Sequence, residues 1–108
     1  MFRNDDFFRD ESKRSLLIIT DDREKLKDLS EVLEADYEVF FVEDEKVSDE
    51  NNYSALMVDM DQRGARKIIK GLKENHRFND VPLILVSKDP QTEKSAHYLG
   101  ADEVLLLP

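Results

Sequence analysis

Leu16-Leu17-Ile18-Ile19-Thr20-Asp21-Asp22 and Ala55-Leu56-Met57-Val58-Asp59 decide how this chain folds. Each is a short aliphatic run that ends abruptly in acid. Counted as Leu16–Thr20 and Ala55–Val58, they are two of five such runs; the others are Val39–Val42, Leu83–Val86 and Val104–Leu107. None alternates between apolar and polar positions. Strands buried on both faces have this composition, which is the habit of a parallel sheet covered by helices.

The segments between the runs carry helical spacing. Leu26, Leu29, Val32 and Leu33 recur at three- and four-residue steps behind the acidic start Asp21, Asp22 and Glu24, a charge that suits a helix N-terminus. Ala65, Ile68, Ile69 and Leu72 repeat the pattern, with Gly71 inside it. Residues Gln91–Leu99 form a weaker helix candidate, with Gly100 as its stop. Strand and helix alternate, and right-handed crossovers then give a doubly wound α/β sandwich. Two places break the rhythm. Glu43–Asn52 has Val47 as its one aliphatic residue and reads as a turn or irregular acidic loop, so the second helix is expected to be shortened. After the fifth run the sequence stops at Pro108, so no helix follows it there. Residues 1–14 read as an N-terminal tail and 15–108 as the domain. Phe2, Phe7 and Phe8 fit neither periodicity; they belong either to a disordered tail or to a cover for apolar surface beside the last strand. A second protomer or another domain is the other expected cover.

Composition narrows the function. The 108 residues include no Cys, which excludes disulfides, thiolate metal sites and Cys nucleophiles. The net charge is −9, of a sign that repels phosphate backbones and anionic lipid. Direct nucleic-acid or membrane binding is therefore not expected. No apolar run approaches the ~20 residues of a membrane span, and a cytoplasmic domain is the expectation. His76 and His97 have no partners at metal-ligand spacing.

In an open parallel sheet, side chains at the carboxyl ends of the strands converge where strand order reverses. If the order is 2-1-3-4-5, the strands ending in Asp21-Asp22 and in Asp59 are neighbours and their carboxylates share one mouth. Two like charges ~4 Å apart repel by about 4 kcal/mol at an effective dielectric near 20. Such a cluster must hold a proton or a cation, and an all-oxygen set favours Mg²⁺. Ser87 closes the fourth run and reaches toward the same crevice.

These pieces, with Val81-Pro82-Leu83-Ile84-Leu85-Val86-Ser87 and the ending Gly100-Ala101-Asp102-Glu103-Val104-Leu105-Leu106-Leu107-Pro108, resemble a response-regulator receiver (CheY-like) domain over Ser15 to Pro108. The resemblance implies a five-stranded flavodoxin-like sheet and a part in a two-component phosphorelay. By the same resemblance Asp59 would accept a phosphoryl group from a histidine kinase or phosphotransfer protein. Asp21, Asp22 and Asp59 would bind Mg²⁺ with the backbone carbonyl of Asp61, and Ser87 would hydrogen-bond the phosphoryl oxygen. The departures are as informative. The family's Lys before the closing Pro is Leu107 here, which removes a point charge and its donors. The aromatic switch position is Val104. The loop Met60-Asp61-Gln62-Arg63-Gly64 lacks the usual Met-Pro, and Lys88 stands where a small residue is usual. Lys88 is a candidate to replace the missing cation.

Two readings follow. One is a signalling receiver with Mg²⁺-dependent phosphoryl acceptance at Asp59, passing its state to a downstream protein. The other is a pseudo-receiver, an interaction or dimerisation module that does not switch by phosphorylation. An enzyme of another kind is not expected, because the chain has no Gly-rich phosphate loop and no nucleophile–base pair.

Overall fold

The computed structural model describes residues 14–44, 47 and 52–108. Five strands, β1 (Arg14–Ile19), β2 (Tyr37–Val42), β3 (Ala55–Asp59), β4 (Leu83–Ser87) and β5 (Glu103–Leu106), form one sheet in the order β2-β1-β3-β4-β5. Every neighbouring pair is parallel. The expected doubly wound order is therefore present. Three α-helices join the strands: α1 (Lys27–Leu33), α2 (Ala65–Lys73) and α3 (Thr92–Leu99), with a 3₁₀ turn at His76–Phe78. β1 begins at Arg14, one residue before the expected boundary, and the rest of the N-terminal segment lies outside the described residues. In the β2–β3 connection the described residues carry no helix; positions 45–46 and 48–51 of the acidic segment lie outside them.

Successive residues of a strand point to opposite faces, and the core divides accordingly. Leu17, Ile19, Leu56, Val58 and Leu85 meet Ile68, Ile69 and Leu72 of α2 and Ala96 of α3 on one face. Leu16, Ile18, Ala55, Met57 and Val86 meet Leu26 on the other, with Leu29 and Leu33 of α1 packed alongside. Among the described residues, the second face thus has one helix where the first has two. α3 ends at Gly100, whose left-handed φ of 79° costs a glycine little. The flexible end of Lys73 of α2 lies across Gly100, with its Cε 2.9 Å from where a Cβ would sit.

The helical stripe read from sequence is correct for three of its four members. At about 100° per residue, Leu29, Leu33, Leu26 and the buried Ser30 fall within an arc of about 100°, while Val32 lies about 60° outside it. Val32 is accordingly 71% exposed. Ser30 tolerates burial because its hydroxyl donates to the Lys27 carbonyl at 2.8 Å. Val32, Leu105 and Leu106 border a hollow of about 500 Å³ between α1 and β5, so the apolar surface expected beside the last strand is present.

Leu26→Ala should lower stability by about 2–4 kcal/mol, as for a buried large-to-small change, whereas Val32→Asp should cost less than about 0.5 kcal/mol. Urea denaturation of the two variants checks the pair; a comparable loss in both would contradict this placement of the helix.

Candidate functional site

Register decides which groups meet at the carboxyl edge of the sheet. β1 and β3 pair Leu16 with Ala55 through Ile19 with Val58. One step further, Thr20 is level with Asp59, and the acidic doublet lies beyond. Thr20 is buried, and its hydroxyl donates to Asp59 Oδ2 at 2.8 Å. The Thr20 hydroxyl oxygen itself accepts the Asp22 N–H at 3.0 Å. Thr20 is the hinge of the turn as well as the neighbour of Asp59.

Asp59 has no solvent exposure. An unpaired carboxylate cannot remain there, because removing it from water costs several kcal/mol. Its second oxygen, Oδ1, accepts from Lys25 Nζ at 2.6 Å and from the Asp61 N–H at 3.0 Å. The cation beside Asp59 is thus Lys25. It comes from the turn that leads into α1, which is stabilised by Asp22 Oδ1 accepting the Lys25 N–H at 3.2 Å.

Lys25 also reaches Asp61 Oδ2 at 3.4 Å. The rest of that carboxylate is held by the Ser87 hydroxyl and the Lys88 N–H, both donating at 2.8 Å. A continuous chain therefore crosses the mouth, Thr20–Asp59–Lys25–Asp61–Ser87. Beneath it, buried Gln62 donates from Nε2 to the Ile19 carbonyl at 2.9 Å and ties the loop after β3 to β1.

The network moves two titrations in opposite directions. Burial disfavours the Lys25 ammonium, but its hydrogen bond to Asp59, the attraction of that carboxylate and the weaker pull of Asp61 outweigh this and raise its pKa. For Asp61, partial burial favours the neutral acid. The Lys88 N–H, the Ser87 hydroxyl and Lys25 outweigh that and hold the carboxyl below the ordinary range.

The residues expected at the site divide clearly. Asp59, Asp61 and Ser87 come together. Asp61 takes part through its N–H and its carboxylate, in contrast to the backbone carbonyl expected of it. Asp22 is exposed, with one oxygen engaged by the turn. Asp21 is exposed and makes no hydrogen bond or ion pair with the described residues. Lys88 contributes a backbone N–H, and its side chain is not the cation at Asp59. Leu107 donates its N–H to the Ser87 carbonyl at 2.8 Å and packs against the core face that α1 covers. Val104 is half-buried against the opposite core. The sequence reading assigns no site role to Thr20 or Lys25. Thr20 could have been found by counting, since the two aliphatic runs pair one to one. Lys25 has no such signal, because a four-carbon stem brings it across a turn.

The expected Mg²⁺ ligands are not gathered here: Asp21 and Asp22 are exposed, and Asp59 is paired with Lys25. Among the described residues, no three carboxylate or imidazole side chains are grouped to hold a metal ion. The space between Asp59 and Asp61 is bridged by an ammonium already.

Lys25→Met should lower stability by about 2–3 kcal/mol, between the values for exposed and fully buried pairs. The Lys25→Met/Asp59→Asn cycle should show a coupling above about 1 kcal/mol; additive losses would contradict the ion pair. Stability should also fall at both pH extremes. Asp61, with its pKa depressed, stabilises above the ordinary carboxylate pKa, and that contribution disappears as pH drops below about 4. Lys25, with its pKa raised, stabilises below about pH 10, and that contribution is lost as pH rises through its folded value. Thermal melts of Asp61→Asn should show a flatter acid limb than the wild type.

No family model matches the chain, and no curated protein matches it. Solved structures do. The chemotaxis response regulator CheY4 of Vibrio cholerae superposes with a TM-score of 0.73 at 17% identity, over 89% of this chain and 88% of that one. A sensor protein from Polaromonas gives 0.74 at 21%, over 88% and 84%. The non-phosphorylated HemR receiver domain from Leptospira biflexa gives 0.66 at 22%, over 89% and 83%. At these identities the similarity is one of architecture: the chain has the fold of response-regulator receiver domains.

Proposed function

We propose that this receiver-fold domain acts in two-component-type signalling as a protein-interaction module, without phosphoryl transfer at Asp59 and without catalytic turnover. The observation that carries this reading is the closed coordination of Asp59: a wholly buried carboxylate whose oxygens are taken by Thr20, Lys25 and the Asp61 N–H. A nucleophilic oxygen must present a lone pair to the incoming phosphorus. Here both oxygens face donors inside the fold.

Four features support the reading. The ammonium of Lys25 supplies in the apo protein the neutralising charge that a metal would otherwise bring. Thr20 stands beside Asp59 where a carboxylate would be needed to add a metal ligand. Leu107 offers no donor for a phosphoryl oxygen, and Val104 has no ring to turn. The carboxyl edge of the sheet is then a fixed polar clasp between the turn before α1, the loop after β3 and the end of β4. The domain presents a stable surface to a downstream protein or a neighbouring domain. No helix among the described residues is long and apolar enough to cross a membrane, and a cytoplasmic setting is part of the proposal.

Incubation with phosphoramidate or acetyl phosphate in millimolar Mg²⁺, followed by intact-mass measurement, tests the proposal. The wild type should show no phosphoryl adduct. An adduct that disappears in Asp59→Asn would overturn the reading and favour a phosphorylated receiver.

A further inference from the structure

The charge of this acidic chain is unevenly distributed. Residues 62–73 contain Arg63, Arg66, Lys67, Lys70 and Lys73 and no Asp or Glu, in a protein of net charge −9. Helix α2 gives this run a direction. Ala65, Ile68, Ile69 and Leu72 are buried, so every charged residue of the helix is on its outer side. Apart from Lys73, which lies across Gly100, these cations have no visible structural task. Arg63, Arg66, Lys67 and Lys70 make no ion pair or hydrogen bond through their side chains among the described residues, and neither does Lys94 on α3.

Between α2 and α3 lies a groove of about 660 Å³, with Arg66 and Lys67 on one wall and Lys94, Ser95 and Tyr98 on the other. Lys94 and Tyr98 are four residues apart on α3 and so share a face. Tyr98 is 86% exposed, a large aromatic surface beside unpaired cations. Asp61 and Asp89 stand at the mouth, where β3 and β4 end.

We infer that this α2–α3 groove is a docking site for a short acidic segment of a partner protein, one carrying an aromatic or aliphatic residue among its carboxylates. Arg66, Lys67 and Lys94 offer charge-assisted hydrogen bonds to carboxylates, and Tyr98 supplies an amphipathic ring of the kind that anchors interfaces. The two aspartates at the mouth interrupt any continuous phosphate track, and the −9 charge of the whole chain repels a long polyanion. A concave groove between two helices also fits an extended peptide better than a lipid surface. The inference deepens the reading of the domain as an interaction module, and its test is separate: phosphorylation of Asp59 would overturn the closed site and leave this groove untouched.

The test uses the full chain and a fluorescein-labelled peptide, Asp-Glu-Glu-Phe-Asp-Glu, in fluorescence anisotropy at low and high salt. Saturable binding is expected, weakening by about tenfold or more as salt rises past the screening range. It should weaken by at least about tenfold in Arg66→Glu/Lys67→Glu/Lys94→Glu and severalfold in Tyr98→Ser. Lys27→Ala, on α1 at the opposite face of the sheet, should bind as the wild type does. If the triple variant fails to fold, amide chemical-shift mapping on the wild type decides: the shifts should fall on α2, α3 and residue 98. Absence of saturable binding, shifts located elsewhere, or equal binding of the Asn/Gln analogue of the peptide would overturn the inference. Tighter binding of a single-stranded oligonucleotide or of phosphatidylserine vesicles than of the peptide would overturn it too.

Discussion

A carboxylate shut away from water must have a positive charge or several donors within hydrogen-bond reach, and Asp59 meets that requirement through Lys25. The rest of the carboxyl edge follows from this pair. To bring its ammonium to Asp59, Lys25 needs the turn between β1 and α1 to close, and the contacts of Asp22 with Thr20 and with the Lys25 N–H close it. To share Lys25 with Asp59, Asp61 must fold back over the end of β3, and its own carboxylate then captures Ser87 and the start of the β4–α3 loop. Three loops are joined around one buried charge.

That solution has a functional consequence. In a metal-dependent phosphoacceptor the neutralising charge must be able to leave or rearrange, because the cation and the incoming group approach the same oxygens. A tethered ammonium at 2.6 Å with a second carboxylate behind it neutralises the buried charge from within the fold. In the proposed reading, the stabilisation of Asp59 and the loss of a reactive oxygen are the same interaction seen from two sides. Under the proposed function, such a domain would act through the surfaces it holds in place, such as the basic side of α2.

Much of the architecture could be read in the sequence, and the reasons are physical. β1, β3 and β4 are covered on both faces, so their aliphatic runs are nearly continuous, and the strand order, assumed for the site and implied by the receiver resemblance, is the one present. α2 was clear because its core stripe is complete and all its charges are on the other side. The site was read less well. The doublet Asp21-Asp22 attracts attention by its charge, but pairing depends on position along the strand, and Thr20 is the residue level with Asp59. Val32 looked like part of the α1 stripe because spacing alone does not show where the stripe is centred. Lys25 could not be found at all: its role depends on a side chain spanning a turn, and a Lys among acids at a helix entry has the ordinary composition of a solvated surface.

The most direct test of the Lys25–Asp59 pair is a ¹⁵N spectrum of the lysine ammonium groups, recorded at neutral pH with and without Mg²⁺. A buried, doubly engaged ammonium exchanges its protons slowly. Lys25 should therefore give a persistent Nζ signal, absent in Lys25→Met and unchanged by the metal. A spectrum without that signal, together with Mg²⁺-dependent shifts at the Asp59 and Asp61 amides, would contradict the account.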